Sequence, residues 1–125
     1  MSSKLSKNQL EKYSRQIILK NIGALGQKKI LTSKVLIIGM GGLGCPVAEF
    51  LTRSGIGLLG IVDHDTVSLS NIHRQTLYDE TDLGKSKVKV AQKKLKNINF
   101  KTKINIHNFK LDKKNFIKII GNYDY

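Results

Sequence analysis

The chain is poor in cysteine, proline, acidic residues and long apolar runs, and each shortage removes a class of protein. Cys45 is the single cysteine in 125 residues. One thiol excludes an internal disulfide and a cysteine-rich zinc site, so a soluble protein of a reducing compartment is expected: the cytoplasm, with an organelle stroma left open. No segment reaches the uninterrupted apolar length of a membrane span. The opening stretch, Met1 to Asn8, is polar and lysine-bearing, without the apolar region of a signal peptide. One proline, no Ser/Gly-rich linker and no internal repeat give at most one domain, or part of one. The 40% of apolar residues is enough for a folded core.

Acids are few: 9 against 22 Lys and Arg, for a formal charge of +13. The imbalance is local. Up to Leu83 there are 10 basic against 7 acidic residues, whereas from Gly84 to Lys118 12 lysines face Asp112 alone. Nearly all the excess is lysine, with Asn and Ile also abundant, the bias of an AT-rich genome. Three arginines and aromatics that do not interleave with the basic residues read as a solvated basic face rather than a nucleic-acid groove.

Against these shortages stands one dense stretch, Lys34-Val-Leu-Ile-Ile-Gly-Met-Gly-Gly-Leu-Gly44. Lys34 to Ile38 reads as a strand buried on both faces. Gly39, Gly41 and Gly44 follow as G-x-G-x-x-G, and an apolar helical pattern runs from Cys45 to Leu51. In a strand–turn–helix context the first glycine allows the tight turn. The second lets a phosphate meet bare backbone, and the third lets the helix close on the strand. The helix N-terminus then offers free N–H groups and partial positive charge to an anion.

Around that stretch the chain resolves into alternating units. Ser6 and Gln9 form a capping box for a first helix whose stripe is Leu10, Tyr13 and Ile17, with Arg15 off the stripe. Gly23 and Gly26 bracket a loop or a short second helix reaching Leu31. The central helix should stop near Ser54-Gly55. Ile56 to Val62 reads as a second buried strand, and His64 to Asp82 as a long loop. Asp82 caps a helix with Val88, Ala91, Leu95 and Ile98 on its apolar side. Lys103 to His107 alternates as a strand, Asp112 caps a helix stopped by Gly121, and Asn122 to Tyr125 begins another strand. The expected fold is therefore α/β: a Rossmann-like, mainly parallel sheet with helices on both faces, spanning 34–125 and preceded by a helical segment, 1–33.

Several polar residues carry chemistry in this frame. Asp63 ends the second strand 24 positions after Gly39, where a dinucleotide fold places the acid that holds ribose hydroxyls. Asp65 reads as loop-ordering ahead of metal-binding. Arg74, in Ser70-Asn-Ile-His-Arg-Gln75, offers a planar fork suited to phosphate oxygens. Lys87 sits in the first turn of a helix, where the macrodipole disfavours a cation. A bound phosphate would remove the conflict, yet by residue type alone a solvated surface lysine is the better reading. Cys45 reads as a small apolar filler, His64 and His73 as loop residues, and His107 carries no signal.

Five pieces together resemble one family: Tyr13-Ser-Arg-Gln-Ile-Ile18, Gly39-Met-Gly-Gly-Leu-Gly-Cys45, Asp63-His-Asp65, Ser70-Asn-Ile-His-Arg-Gln75 and Gly84-Lys-Ser-Lys87. From about Leu10 to the end, the chain resembles the ThiF/MoeB/HesA-type adenylyltransferases of molybdopterin and thiamine synthesis, relatives of the ubiquitin-activating enzymes. The resemblance implies ATP-dependent adenylylation of the C-terminal glycine of a ubiquitin-like sulfur carrier ending in Gly-Gly, with release of pyrophosphate. It places Gly39, Gly41, Gly42 and Gly44 against the phosphates, Asp63 on the ribose, and Ser70, Asn71, Arg74 and Lys87 around the triphosphate. It makes Arg15 an arginine that reaches the partner's nucleotide across a homodimer. Arg15, Arg74 and Lys87 are the expected catalytic set, with Mg²⁺ beside ATP.

The same resemblance implies a chain about twice as long. The strand starting at Tyr123 would continue to an acid that positions Mg²⁺, and zinc-binding Cys-x-x-Cys pairs would follow; neither is present, so no metal ligand is assigned here. Val35 to Ile38 would then lie at an open sheet edge, half uncovered. A marginally stable, catalytically impaired polypeptide is the expectation. The alternatives are a related enzyme that activates a tRNA or small-molecule carboxylate, a non-catalytic nucleotide-binding or dimerising remnant and, last, a basic nucleic-acid module.

Overall fold

A computed structural model describes residues 4–125; Met1–Ser3, where the polar N-terminal stretch and the expected helical segment begin, lie outside the described residues. The Ser6 capping box forms as its spacing requires: Ser6 Oγ accepts the Gln9 N–H at 3.2 Å and Gln9 Oε1 accepts the Ser6 N–H at 2.8 Å. It opens helix α1, Lys7–Lys12. The expected continuation to Ile17 is interrupted. Tyr13 leaves the helical path at φ −107°, ψ 16°, and a separate short helix, α2, spans Ser14–Ile17.

The cause is tertiary. The Tyr13 side chain is 3% exposed, and its hydroxyl accepts a hydrogen bond from Asn99 Nδ2 at 3.0 Å. Its ring covers Gly55, where a Cβ would come within 2.6 Å of it. Gly55, at φ 95°, is also the left-handed residue that ends the central helix. One glycine thus stops a helix and receives a tyrosine. The segment from Gly23 is helical rather than a loop: α3 runs Gly23–Thr32, and its buried Gln27 donates to the Ser54 carbonyl at 2.9 Å.

Three parallel strands form one sheet in the order β1 (Lys34–Ile38), β2 (Leu58–Val62), β3 (Lys103–His107), with Leu59 opposite both Val35 and Ile104. β2 starts two residues later than Ile56. Helices α4 (Gly44–Ser54) and α5 (Lys87–Ile98) pack on one face, where Leu59 and Ile61 meet Ala48, Val88, Ala91 and Leu95 in the core. Burying each Leu or Ile here stabilises by roughly 1.5–3 kcal/mol. On the opposite face Tyr123 lies on Gly60, where any Cβ would collide with its ring, and its hydroxyl meets His107 Nε2 at 2.8 Å. Helix α6, Lys113–Ile120, carries the expected Asp112 cap.

Two further expectations change. Asp82 does not cap α5; it ends a 3₁₀ turn, Glu80–Asp82, and Ser86 stands at the α5 N-cap position. The 3₁₀ turns at Leu69–Asn71 and Glu80–Asp82, with a bridge between Thr66 and Ser86, give the long loop its shape. β1 is a sheet edge, but not a bare one. The Asp124 N–H donates to the Lys34 carbonyl at 2.8 Å, and Leu36 N–H donates to the Tyr125 carbonyl at 2.9 Å. The chain end thereby begins to pair with β1, although Ile38 stays 55% exposed.

Asn99 is the polar hub of this arrangement. It is 1% exposed and donates to Tyr13 Oη and the Thr52 carbonyl, both at 3.0 Å, while Lys12 Nζ donates to its Oδ1 at 2.9 Å. Asn99→Ala should destabilise the chain by about 2–3 kcal/mol, because it strips buried partners of their hydrogen bonds. Asn97→Ala, on the exposed side of α5, should stay within about 0.5 kcal/mol. Urea unfolding of both variants checks this, and equal losses would count against the hub.

Candidate functional site

The site grows from the turn between β1 and α4. Gly39 sits at φ 92° and donates its N–H to the Val62 carbonyl at 2.8 Å. Gly44 packs against that turn so tightly that a Cβ would collide with the Gly39 carbonyl oxygen. Between them Met40 is fully buried and held at both backbone ends. Its N–H donates to Asp63 Oδ2 at 2.8 Å, and its carbonyl accepts the Tyr78 hydroxyl at 2.7 Å. The residues that follow are left open: among the described residues no acceptor takes the N–H groups of Gly41, Gly42 or Leu43, and no side chain caps α4. Unpaired amides at the start of an 11-residue helix are a place for an anion.

The long loop closes over this turn. Gly41 lies under the Gln75 carboxamide, with Nε2 3.6 Å from where a Cβ would stand, and Gly42 lies under the Arg74 stem at 3.5 Å. The Arg74 guanidinium is steadied from behind by the Ser70 carbonyl, 2.8 Å from Nη1, with His73 Nε2 3.4 Å from the same nitrogen, and the residue is exposed. Asn71 caps its own turn, its Oδ1 accepting the Ser68 N–H at 2.9 Å, which leaves its amide nitrogen without an acceptor among the described residues. Asp63 turns one oxygen to Met40 and the other to the Asp65 N–H at 2.8 Å.

Lys87 is not the solvated lysine its residue type favoured. It is 5% exposed, and its charged neighbour among the described residues is Asp65, with Nζ–Oδ2 at 3.8 Å, beyond hydrogen-bond length. An ammonium buried at a helix N-terminus with so weak a partner is costly unless an anion joins it. Asp63, Asp65 and Lys87 therefore form one connected row, and Arg74 of the long loop lies over Gly42 of the turn. Arg15 is apart: exposed on α2, with no hydrogen bond or ion pair to these groups among the described residues.

A cleft of about 240 Å³ opens beyond the C-terminal ends of β1 and β2, with Gly39 and Asp63 on one wall and Phe109 and Leu111 on the other. Ligands of open α/β sheets bind beyond the carboxyl ends of the strands, the end on which this cleft opens. Phe109 and Leu111 were not foreseen, since no local pattern marks two loop residues as a wall. Tyr78 and Gln75 also escaped sequence reasoning as site residues; Gln75 at least adjoins Arg74 in the quoted motif.

The donors Asp63, His64 and Asp65 gather within 4.8 Å of one another, among the described residues. Both Asp63 oxygens already accept backbone N–H groups, and Asp65 faces both His64 and Lys87. We assign this group to shaping the loop. Cys45 is fully buried and burial pushes its thiol pKa up, so a filler role fits and activation does not.

A family-wide sequence profile described as the ThiF family matches residues 13–125. The chain belongs to the ThiF family. It is 43% identical over 122 residues to the adenylyltransferase and sulfurtransferase MOCS3 of Aedes aegypti, and 44% over 120 residues to MOCS3 of Caenorhabditis briggsae. The matches cover 98% and 96% of this ThiF-family chain but 28% and 30% of those relatives, so it spans under a third of their length. Among solved structures, PaaA superposes with a TM-score of 0.86 at 34% identity, covering 98% of this chain and 41% of PaaA. Escherichia coli MccB, solved with ATP, superposes with a TM-score of 0.79 at 30% identity, over 91% of this chain and 35% of MccB. The parallel sheet and its helices are thus those of a Rossmann-like ThiF-family domain. No helix among the described residues is long and apolar enough to cross a membrane.

The turn gives a direct test. Gly44→Ala should cost about 3 kcal/mol or more, because backbone opposes the new methyl. Gly42→Ala, where only the Arg74 stem is near at 3.5 Å, should cost under about 1 kcal/mol. Urea midpoints check the ranking, and a reversed order would contradict the packing described.

The loop is also clamped from outside. Lys94 Nζ donates to Asp82 Oδ2 at 2.7 Å and to Asp79 Oδ2 at 3.0 Å. The Thr81 side chain, then Lys94, lower the pKa of Asp79 to about 2. Burial opposes the charge on Asp82, but Lys94 and the Asp79 N–H outweigh it and lower that pKa too. Depressed carboxylate pKa values give stability that is complete above the unfolded value of 3.8 and lost as pH falls toward 2. Burial of Lys94 is likewise outweighed by the two carboxylates, raising its pKa above 10.5, so the clamp also weakens as pH climbs past that value. Proteolysis of the 77–85 segment should therefore stay slow from pH 4 to 10 and show no such plateau in Lys94→Met. An acid-active and an alkaline-stable protease can read the two limbs.

Proposed function

We propose that this chain is the nucleotide-binding part of an adenylyltransferase that activates the C-terminal glycine carboxylate of a ubiquitin-like sulfur carrier. The carboxylate attacks the α-phosphorus of ATP, pyrophosphate leaves, and the carrier ends as an acyl-adenylate. The observation that carries this reading is the buried, under-partnered ammonium of Lys87 beside a glycine turn with open amides. The names of the MOCS3 relatives and the ATP-bound MccB structure support the same choice of nucleotide.

A carboxylate is a weak nucleophile and its target is anionic, so the protein's work is positioning and charge neutralisation. The amides of Gly41, Gly42 and Leu43 take phosphate oxygens at the α4 N-terminus, with Gly39 and Gly44 shaping the turn. Arg74 and Asn71 donate from the loop, and Ser70 holds Arg74 in place through its carbonyl. Lys87 supplies fixed charge from a site where little water screens it. Asp63 retains free lone pairs for ribose hydroxyls beside the Phe109–Leu111 wall, where the base lies. Arg15, exposed and unengaged, serves a partner's nucleotide in a homodimer.

Mg²⁺ would neutralise phosphate charge in such a reaction. The residues present do not fit as its cage, because the one gathered acidic set among the described residues, Asp63, His64 and Asp65, already has Asp65 facing the Lys87 ammonium. No step of this reading passes through the metal.

The test is exchange of labelled pyrophosphate into ATP by the full chain, with and without a Gly-Gly-ended carrier. Carrier-dependent exchange is expected, reduced at least about 100-fold by Lys87→Ala or Arg74→Ala, since each removes a charge-assisted contact of the transition state. ATP binding without exchange would move the chain to a nucleotide-binding or dimerising role. Exchange driven by a small carboxylate or tRNA rather than the carrier would place it in a related branch.

A further inference from the structure

A second cleft, of about 410 Å³, lies between helix α1, the end of α3 and the turn that joins α5 to β3. Buried Tyr13 and half-buried Leu31 line it, and Phe100 stands at its mouth with 80% of its surface exposed. The cleft adjoins a hollow of about 180 Å³ that shares Tyr13, Leu31 and Lys101 and reaches Gly57 and Thr102, just ahead of β2 and β3. Because the strands are parallel, this is the end of the sheet away from the Gly39 turn.

Its walls are mainly apolar and its charge is one-sided. Lys12 and Lys101 line it, and no carboxylate does among the described residues. Neither lysine has an ion-pair partner among the described residues, whereas Lys87 and Lys94 both face acids. One buried acceptor gathers the pair: Asn99 Oδ1 takes Lys12 Nζ at 2.9 Å and the Lys101 backbone N–H at 3.2 Å. The Lys12 ammonium is thereby held at the cleft, 5.9 Å from the centre of the Tyr13 ring, with one of its three donors used. A surface lysine ordinarily loses rotamer freedom when it meets a ligand, and here the fold has already fixed the side chain. Phe100 is equally unusual, since a polar residue would serve a turn without leaving a phenyl ring in water.

The size is that of a small-molecule pocket, the rings offer stacking surface, and the fixed cations suit an acid. We propose that this cleft binds a small aromatic carboxylate, its ring system against Phe100, Leu31 and Tyr13 and its carboxylate toward Lys12 and Lys101. The site is separate from the cleft at Gly39 and Asp63, so it does not rest on the nucleotide reading.

The experiment titrates the full chain with 2-naphthoate, its neutral amide 2-naphthamide, and acetate, read by assigned amide NMR spectra and isothermal titration. Naphthoate should bind saturably below about 5 mM, shifting the amides of Gln9, Leu31 and Lys101 and sparing Gly41 to Leu43. Naphthamide and acetate, lacking the charge and the ring system respectively, should each bind at least about fivefold more weakly. Phe100→Ser and Lys101→Met change exposed side chains, so melting temperatures should hold while naphthoate affinity falls about fivefold. Lys101→Arg should keep that affinity, and Lys93→Met, on the outer face of α5, should not alter it. Absence of saturation, equal affinity for acid and amide, or shifts centred elsewhere would each overturn the assignment. So would equal losses in Lys93→Met and Lys101→Met, which mean a diffuse basic surface. Shifts of the same amides with protein concentration alone mean that a second copy covers the cleft, and overturn it too.

Discussion

Gly44 lies so close to the Gly39 carbonyl that no side chain fits between them, and that approach joins the first strand to the first long helix. Everything in the site is referred to this contact. It bends the chain sharply enough to bury Met40, whose two backbone groups become the pegs on which Asp63 and Tyr78 hang. One peg ties the turn to the end of β2 and the other to the long loop. The turn is thus clamped by the neighbouring strand and by the loop that covers it, while among the described residues no acceptor takes the amides of Gly41, Gly42 and Leu43. The first N–H groups of a helix lack intrahelical partners, and no side chain caps α4 among the described residues.

Charge is organised around the same gap. The formal excess of +13 is spread over exposed lysines, where solvent and salt reduce each to a minor influence. One lysine differs: Lys87 is drawn inside at the start of α5, with Asp65 3.8 Å away. Its field is worth far more than that of the solvated lysines because it acts through less water. Lys94 works at the other end of the loop, binding Asp79 and Asp82 so that the segment bearing Arg74 and Gln75 does not drift. Two lysines of one helix therefore differ from the rest: Lys87 is buried with Asp65 at 3.8 Å, and Lys94 is hydrogen-bonded to two carboxylates.

Much of this was legible from residue order. The strand, glycine turn and helix from Lys34 to Ser54, the strand at Lys103–His107 and the Asp112 cap all follow from local rules that the structure obeys. The failures share a cause. The first helix breaks at Tyr13 because a tyrosine on its stripe is claimed by Asn99 and Gly55, far away in sequence. Asp82 does not cap α5, because its buried carboxylate accepts from Lys94 Nζ and the Asp79 N–H instead. The open edge expected at β1 is partly closed, because Asp124 and Tyr125 have begun to pair along it.

What the sequence alone determined is the class of fold and the chemistry available. Glycine spacing, apolar period and the order of the five motifs depend on neighbours within a few residues, and those relations survive without coordinates. Only the tertiary structure decided which polar groups are deprived of partners. Lys87 and Gln75 are buried because loop, helix and turn converge on them from separate parts of the chain. Burial and the absence of an acceptor are properties of that convergence, and no local pattern of residues encodes them.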